Sequence, residues 1–217
     1  MHPPVQPSSS VVVIVDDDPG IRDSLDSLFR SVGLETRLFG SPAELLGGSL
    51  PDSPGCIVLD VRLPGASGLD LQGQLTQQGI RYPIIFMTGH GDIPMSVRAM
   101  KAGAVDFLSK PFRDQDMLDA VTAALERDAQ RRAEAATQED IRAQYDTLTA
   151  REREVMGYVT AGLMNKQVAG LIGISEITVK IHRGNVMRKM GVRSLADLVR
   201  KAEALGVSQT RKSTDQT

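Results

Sequence analysis

Val11-Val12-Val13-Ile14-Val15-Asp16-Asp17-Asp18 sets a continuous apolar run, mostly β-branched, directly against a group of carboxylates. Such a run, bounded by polar residues, suits a strand buried on both faces, and the acids fall at its carboxyl end. Outward from it, further short apolar runs occur at Leu34 to Phe39, Cys56 to Leu59, Ile84 to Met87 and Ala104 to Leu108. The stretches between and after them, about 19–32, 41–48, 67–79, 92–102 and 113–127, have helical character. Strand alternating with helix implies a five-stranded, parallel, doubly wound α/β sheet.

In such a sheet, ligands gather at the carboxyl ends of the strands, near the point where strand order reverses. The first strand ends in Asp16-Asp17-Asp18, the third in Asp60 and the fourth in Thr88, while Lys110-Pro111 follows the fifth. Carboxylates meeting in one pocket repel one another unless a cation neutralises them, and a site of oxygen ligands with high charge suits Mg2+. Thr88 offers a hydroxyl and Lys110 a fixed positive charge, which together could hold the oxygens of a phosphoryl group. Asp18 stands before Pro19, where capping a helix accounts for it better. Cys56, the one cysteine, lies in an apolar run and is expected to be a small buried residue.

The chain has 217 residues and a net charge of -2, which hides a strong polarity. Residues 1–125 carry 9 Lys+Arg against 15 Asp+Glu, residues 126–147 carry 4 against 6, and residues 148–217 carry 12 against 6. The basic last third suits a polyanion, although charge asymmetry alone favours nucleic acid only modestly. No apolar run approaches the roughly 20 residues that span a bilayer. The start, Met1 to Ser10, lacks the pattern of a secretory signal, so a cytoplasmic protein is expected.

From Glu126 to Asp146 the sequence is rich in Glu, Arg, Gln and Ala, able to form helix but expected to bury little. Four helical stretches follow, about 150–161, 165–172, 175–190 and 194–205, separated by Gly162, Gly173 and Gly191. The predicted organisation is a polar tail (1–9), an α/β domain (10–125), a helical linker (126–147), an all-α domain (148–207) and a second polar tail (208–217), both tails disordered. The pair at 165–172 and 175–190, joined by a tight Gly turn, has the helix-turn-helix pattern, with Asn165 and Ser175 as expected N-caps. On the longer helix Val179, His182 or Arg183, Val186 and Met190 form the expected buried stripe, and Lys180, Ile181, Gly184 and Arg188 lie opposite. A basic face with one aliphatic residue suits the DNA major groove. Gly184 fits either close backbone approach to DNA or tolerance in packing.

Residues 1–125 resemble a receiver domain, through Val15-Asp16-Asp17, Leu59-Asp60-Val61-Arg62-Leu63-Pro64-Gly65, Met87-Thr88-Gly89 and Ser109-Lys110-Pro111-Phe112. The resemblance implies a flavodoxin-like fold in which Asp60 accepts phosphate from a histidine kinase. It implies Mg2+ held by Asp17, Asp60 and the backbone carbonyl of Arg62, with Asp16 assisting through water, and a cis peptide at Lys110-Pro111. It also implies a switch in which phosphate draws in the Thr88 hydroxyl and Phe107 rotates into the space vacated; ordinary core packing is the other reading of Phe107. His90, beyond Thr88, is taken as a solvated loop residue.

Residues 148–207 resemble a LuxR-type four-helix DNA-binding domain, through Leu148-Thr149-Ala150-Arg151-Glu152-Arg153-Glu154-Val155, Asn165-Lys166-Gln167-Val168-Ala169 and Thr178-Val179-Lys180-Ile181-His182. By resemblance Lys180 and Ile181 reach base edges, and Lys166, Thr178 and Arg183 hold phosphates. Where this chain has Gly184, some relatives carry a basic residue. In relatives the last helix, here with Leu195, Leu198, Val199 and Ala202, pairs with its twin, although part of that stripe must also serve the core. Receiver plus LuxR-type domain marks the NarL/FixJ class of two-component response regulators, and Gly89-His90-Gly91-Asp92-Ile93-Pro94-Met95 looks most like the FixJ-type subgroup.

The resemblance implies a phosphorylation-dependent regulator of transcription, an activator dimeric when phosphorylated. Its partners would be a histidine kinase, promoter DNA and RNA polymerase, with no membrane association. Catalysis would be confined to phosphorylation and dephosphorylation of Asp60. The competing reading is an aspartyl-phosphate hydrolase or phosphotransferase. Against it, Arg62 stands where such an enzyme would have a second acid-base carboxylate, and no substrate cap is evident.

Overall fold

The computed structural model describes residues 10–89 and 93–207. The tails at 1–9 and 208–217, and His90 with the centre of the 89–95 signature, lie outside the described residues. The chain divides into two compact units, Met1–Arg132 and Ala133–Thr217.

In the first unit, β1 (Val11–Val15), β2 (Glu35–Phe39), β3 (Gly55–Asp60), β6 (Ile84–Thr88) and β7 (Asp106–Ser109) form one parallel sheet in the order β2-β1-β3-β6-β7. Helices α1 (Pro19–Ser31), α2 (Pro42–Gly47), α3 (Gly68–Gln77), α4 (Ile93–Lys101) and α5 (Asp114–Asp146) follow the strands. This is the expected flavodoxin-like fold.

Alternation along the strands builds two cores. Val11, Val13, Val15, Ile57, Leu59 and Phe86 face one way, against Leu45 of α2, Leu71 and Leu75 of α3 and Ala99 of α4. Val12, Ile14, Cys56, Val58, Ile85 and Met87 face the other way, against Leu25 and Phe29 of α1 and Met117, Val121 and Ala124 of α5. Strands β1, β3 and β6 are buried throughout, which is why their sequences read as unbroken apolar runs.

A hairpin of β4 (Arg62–Leu63) and β5 (Ala66–Ser67), not anticipated from sequence, follows Asp60. Its base is closed by Gly68 N–H donating to the Val61 carbonyl at 2.9 Å. A Cβ on Gly68 would lie 2.6 Å from the Asp60 carbonyl oxygen and 3.1 Å from Val61 Cα, so α3 begins in contact with the strand's backbone.

Helix α5 runs through the segment expected to be a polar helical linker, and most of that segment is exposed, with Asp128 and Ile141 as its buried residues. Asp128 is fully buried. It accepts from Gly55 N–H (3.1 Å), Arg131 Nη2 (2.6 Å) and Arg132 Nε (2.8 Å). Arg132 also reaches Asp52 at 2.7 Å and stacks over Tyr82. Residues 133–140 are exposed, and Ile141 and Tyr145 then join the core of the second unit.

The second unit adds α6 (Ala150–Thr160), α7 (Asn165–Ile172), α8 (Glu176–Lys189) and α9 (Leu195–Ala204) around Val155, Met156, Val168, Val179, Val186, Met190 and Leu198. A capping box starts α6: Glu152 N–H donates to Thr149 Oγ1 (3.2 Å) and Thr149 N–H to Glu152 Oε2 (2.9 Å). Glu152 also holds Lys189 Nζ at 2.6 Å, tying α6 to the end of α8.

Candidate functional site

The sheet order reverses between β1 and β3, and the acids at the carboxyl ends of those two strands meet there. Asp16 and Asp60 are buried and Asp17 is exposed; all three offer carboxylate oxygens within 4.8 Å of one another. Lys110 follows the end of β7 and precedes a cis peptide to Pro111, and its Nζ lies 2.6 Å from both Asp16 Oδ2 and Asp60 Oδ2. Thr88, buried at the end of β6, accepts the Lys110 backbone N–H on its carbonyl at 2.6 Å. Asp16, Asp17, Asp60, Thr88 and Lys110 are therefore brought to one place from four strand ends.

Backbone groups complete the pocket. The Arg62 amide donates to Asp60 Oδ1 at 2.9 Å, and the Asp18 amide to Asp16 Oδ1 at 2.9 Å. Asp18 caps α1 by accepting from Gly20 N–H, as expected. Arg22, which sequence reasoning passed over, donates to the Asp16 carbonyl at 2.6 Å; an arginine on the first turn of α1 gave no signal distinguishing it from a solvated one.

Burial pushes the Asp16 carboxyl above the ordinary carboxylate range, opposed by Lys110 and the Asp18 amide. Burial also works against the Lys110 ammonium, but its hydrogen bonds to Asp16 and Asp60 outweigh that and hold it above the ordinary lysine value. With all three carboxylates ionised, one ammonium leaves two negative charges in the pocket, and the donors are oxygens. A hard divalent cation fits that set. Phe107 is half-buried, pairs with Phe86 across the β6–β7 ladder and packs against the core that includes Leu59.

In the second unit, Gly173 ends α7 in the left-handed conformation (φ 69°) and Ser175 Oγ caps α8 by accepting from Thr178 N–H. Asn165 is not the cap of α7: that position is Met164, whose N–H donates to Gln167 Oε1 at 2.9 Å. The Asn165 side chain faces Arg183 instead, with Nη1 at 3.4 Å. Val179, Val186 and Met190 are buried, while His182 and Arg183 are both half-buried.

The exposed face of α8 carries Ile177, Lys180, Ile181, Gly184 and Arg188, and Lys166 is exposed on α7. Thr178 is half-buried, its hydroxyl 2.8 Å from Ser175 Oγ. A Cβ at Gly184 would meet nothing within 4 Å, so packing within the unit does not require glycine there. Ile177 was missed; its i,i+4 spacing to Ile181 was the available signal.

One expectation about α9 is corrected. Leu198 and Ala202 are fully buried in the unit's own core and present no surface to a second copy. Leu195 is exposed and Val199 half-buried.

A carboxylate pocket closed by a lysine at the switch point of a doubly wound domain, followed by a basic helix-turn-helix domain, defines a two-component response regulator. Residues 12–122 match the response regulator receiver domain and residues 146–202 match the bacterial regulatory proteins of the luxR family. Nodulation protein W of Bradyrhizobium diazoefficiens is 59% identical over 201 residues, spanning 93% of this chain and 88% of that one. The structure of the response regulator StyR superposes with a TM-score of 0.82 at 48% identity, covering 90% of this chain and 99% of that one. Full-length FixJ from B. japonicum matches at 40% identity and a TM-score of 0.54, over 93% and 100%. The chain belongs to the FixJ-like response regulators, and its function is phosphorylation-dependent regulation of transcription, with a histidine kinase and DNA as partner classes.

Proposed function

We propose that Asp60 is the phosphoacceptor. The observation that carries this is its position: a buried carboxylate at the switch point, held on Oδ2 by Lys110 and on Oδ1 by the Arg62 amide. A carboxylate oxygen attacks phosphorus, the bond to the kinase histidine breaks, and the acyl phosphate forms on Asp60. Asp60, Asp17 and the Arg62 carbonyl would hold Mg2+, with Asp16 assisting; when bound, the ion neutralises phosphoryl oxygens. Lys110, now shared between Asp16 and Asp60, supplies its charge to the new phosphoryl group, and the Thr88 hydroxyl takes one of its oxygens. Phe107 follows Thr88 as the switch residue; its contacts in the core are where it starts.

Downstream, Lys180 and Ile181 read bases while Lys166, Thr178, Arg183 and Arg188 hold the DNA backbone. Gly184 lies on the same face. The domain limits read from sequence, 10–125, 126–147 and 148–207, frame this reading. So do a cytoplasmic location, a homodimer when phosphorylated and activation through RNA polymerase. A dimer contact on α9 would use Leu195 and Val199. Catalysis is limited to making and hydrolysing the Asp60 phosphate, because Arg62 occupies the position a hydrolase would give to a second acid-base carboxylate.

Incubation with a small acyl phosphate and Mg2+ should label the chain once, and Asp60→Asn should remove the label. Undiminished labelling of that variant, mapped to another residue, would overturn the assignment. Multiple turnover on a phosphorylated metabolite would restore the hydrolase reading.

A further inference from the structure

Ile177 is 74% exposed in the first turn of α8, and Ile181, one turn later on the same face, is 58% exposed. Single exposed aliphatic residues need no explanation. Two stacked at i,i+4, with Lys180 beside them and Arg188 further along, make a mixed apolar and basic face. The cations argue for a polyanion, and the unit as a whole is basic.

In the major groove the apolar group presented by the bases is the C5-methyl of thymine. We propose that Ile177 and Ile181 contact two thymine methyl groups on either side of the base met by Lys180, so that the half-site carries thymines at fixed spacing. The inference deepens the reading of α8 as the helix that enters the groove, and rests on it. Four residues advance about 6 Å along the helix and one base step is about 3.4 Å, which sets the two thymines about two steps apart with one base between them. Gly184 completes the face: with no Cβ and nothing within 4 Å of where one would stand, it lets the backbone near the groove floor beyond Ile181.

The test uses the full chain treated with a small acyl phosphate. Duplexes are selected from a randomised pool, and each thymine of the recovered site is then replaced singly by deoxyuridine, which removes the methyl and nothing else. Two thymines per half-site should each lose about fourfold in affinity, the value of one buried methyl-sized group. Ile177→Ala should abolish the deoxyuridine effect at one of them and Ile181→Ala at the other. Both positions are exposed in a helix and alanine favours helix, so the variants fold; circular dichroism confirms it. Enrichment of a sequence whose affinity is unmoved by deoxyuridine at every thymine overturns this proposal alone. Retained methyl sensitivity at both positions in Ile177→Ala removes Ile177 from it. Failure to enrich any sequence overturns the DNA-reading role of α8, and the proposal with it.

Discussion

Asp128→Ala tests whether the start of the connecting segment is locked into the first unit. The native carboxylate is fully buried and accepts from the Gly55 amide, Arg131 and Arg132. Removing it orphans the Gly55 N–H, which costs about 1–3 kcal/mol for a buried donor. The arginine side chains are 37% and 28% exposed and can recover water, so their lost charge-assisted bonds are only partly felt. The desolvation of the carboxylate itself, no longer required, offsets some of the rest. The expected loss is about 3 kcal/mol, a large share of a typical domain stability of about 5–15 kcal/mol. Asp128→Asn keeps the shape and one acceptor and should lose about half as much. Because the chain has two units, a single global transition is the wrong readout. Hydrogen exchange followed by mass spectrometry on peptides covering β1 and β3 measures the first unit directly. Exchange there should accelerate by about two orders of magnitude in Asp128→Ala. A change below threefold would refute the reasoning, and would mean that neither the Gly55 amide nor the two arginines depend on the carboxylate for the stability of this unit.

Burial works to raise the Glu152 carboxyl, but Lys189 and Thr149 outweigh it and hold it below the ordinary glutamate value. That stability is present above pH 4.5 and lost as pH falls through the folded value. Glu152→Gln should therefore destabilise the second unit by about 1–3 kcal/mol at neutral pH, with the gap closing in acid; a gap independent of pH in urea melts would contradict this. Gly184→Ala should stabilise the same unit by about 1 kcal/mol, since the new methyl meets nothing, and a fall in melting temperature would show a hidden clash. The Cys56 thiol is fully buried, and burial, with Asp128 nearby, pushes its pKa up to about 12. A thiol reagent at pH 8 should leave it untouched until urea unfolds the chain.

The sheet and its site were legible because they follow from patterns local in sequence. A buried parallel strand must be apolar throughout, so β1, β3 and β6 announced themselves, and the acids at the carboxyl ends of β1 and β3 could only meet at the crossover. What was not legible depended on partners distant in sequence. Asp128 looks like any helix-surface acid until Gly55, 73 residues away, supplies its buried donor. Asn165 was a sound N-cap on residue type, but Arg183 of the next helix engages its side chain, and Met164 takes the cap position with its own N–H held by Gln167. The stripe on α9 could not be divided by periodicity, since a residue facing the core and one facing a partner copy share the same spacing. Strands as short as β4 and β5 carry no period at all.

Gly68 ties the hairpin after Asp60 shut and presses the first turn of α3 onto the strand backbone. Mechanically, that flank of the pocket is a clamped edge. An anion on Asp60, as proposed, would find least slack on that flank, which leaves the side of the pocket formed by β6 and β7 to yield to it.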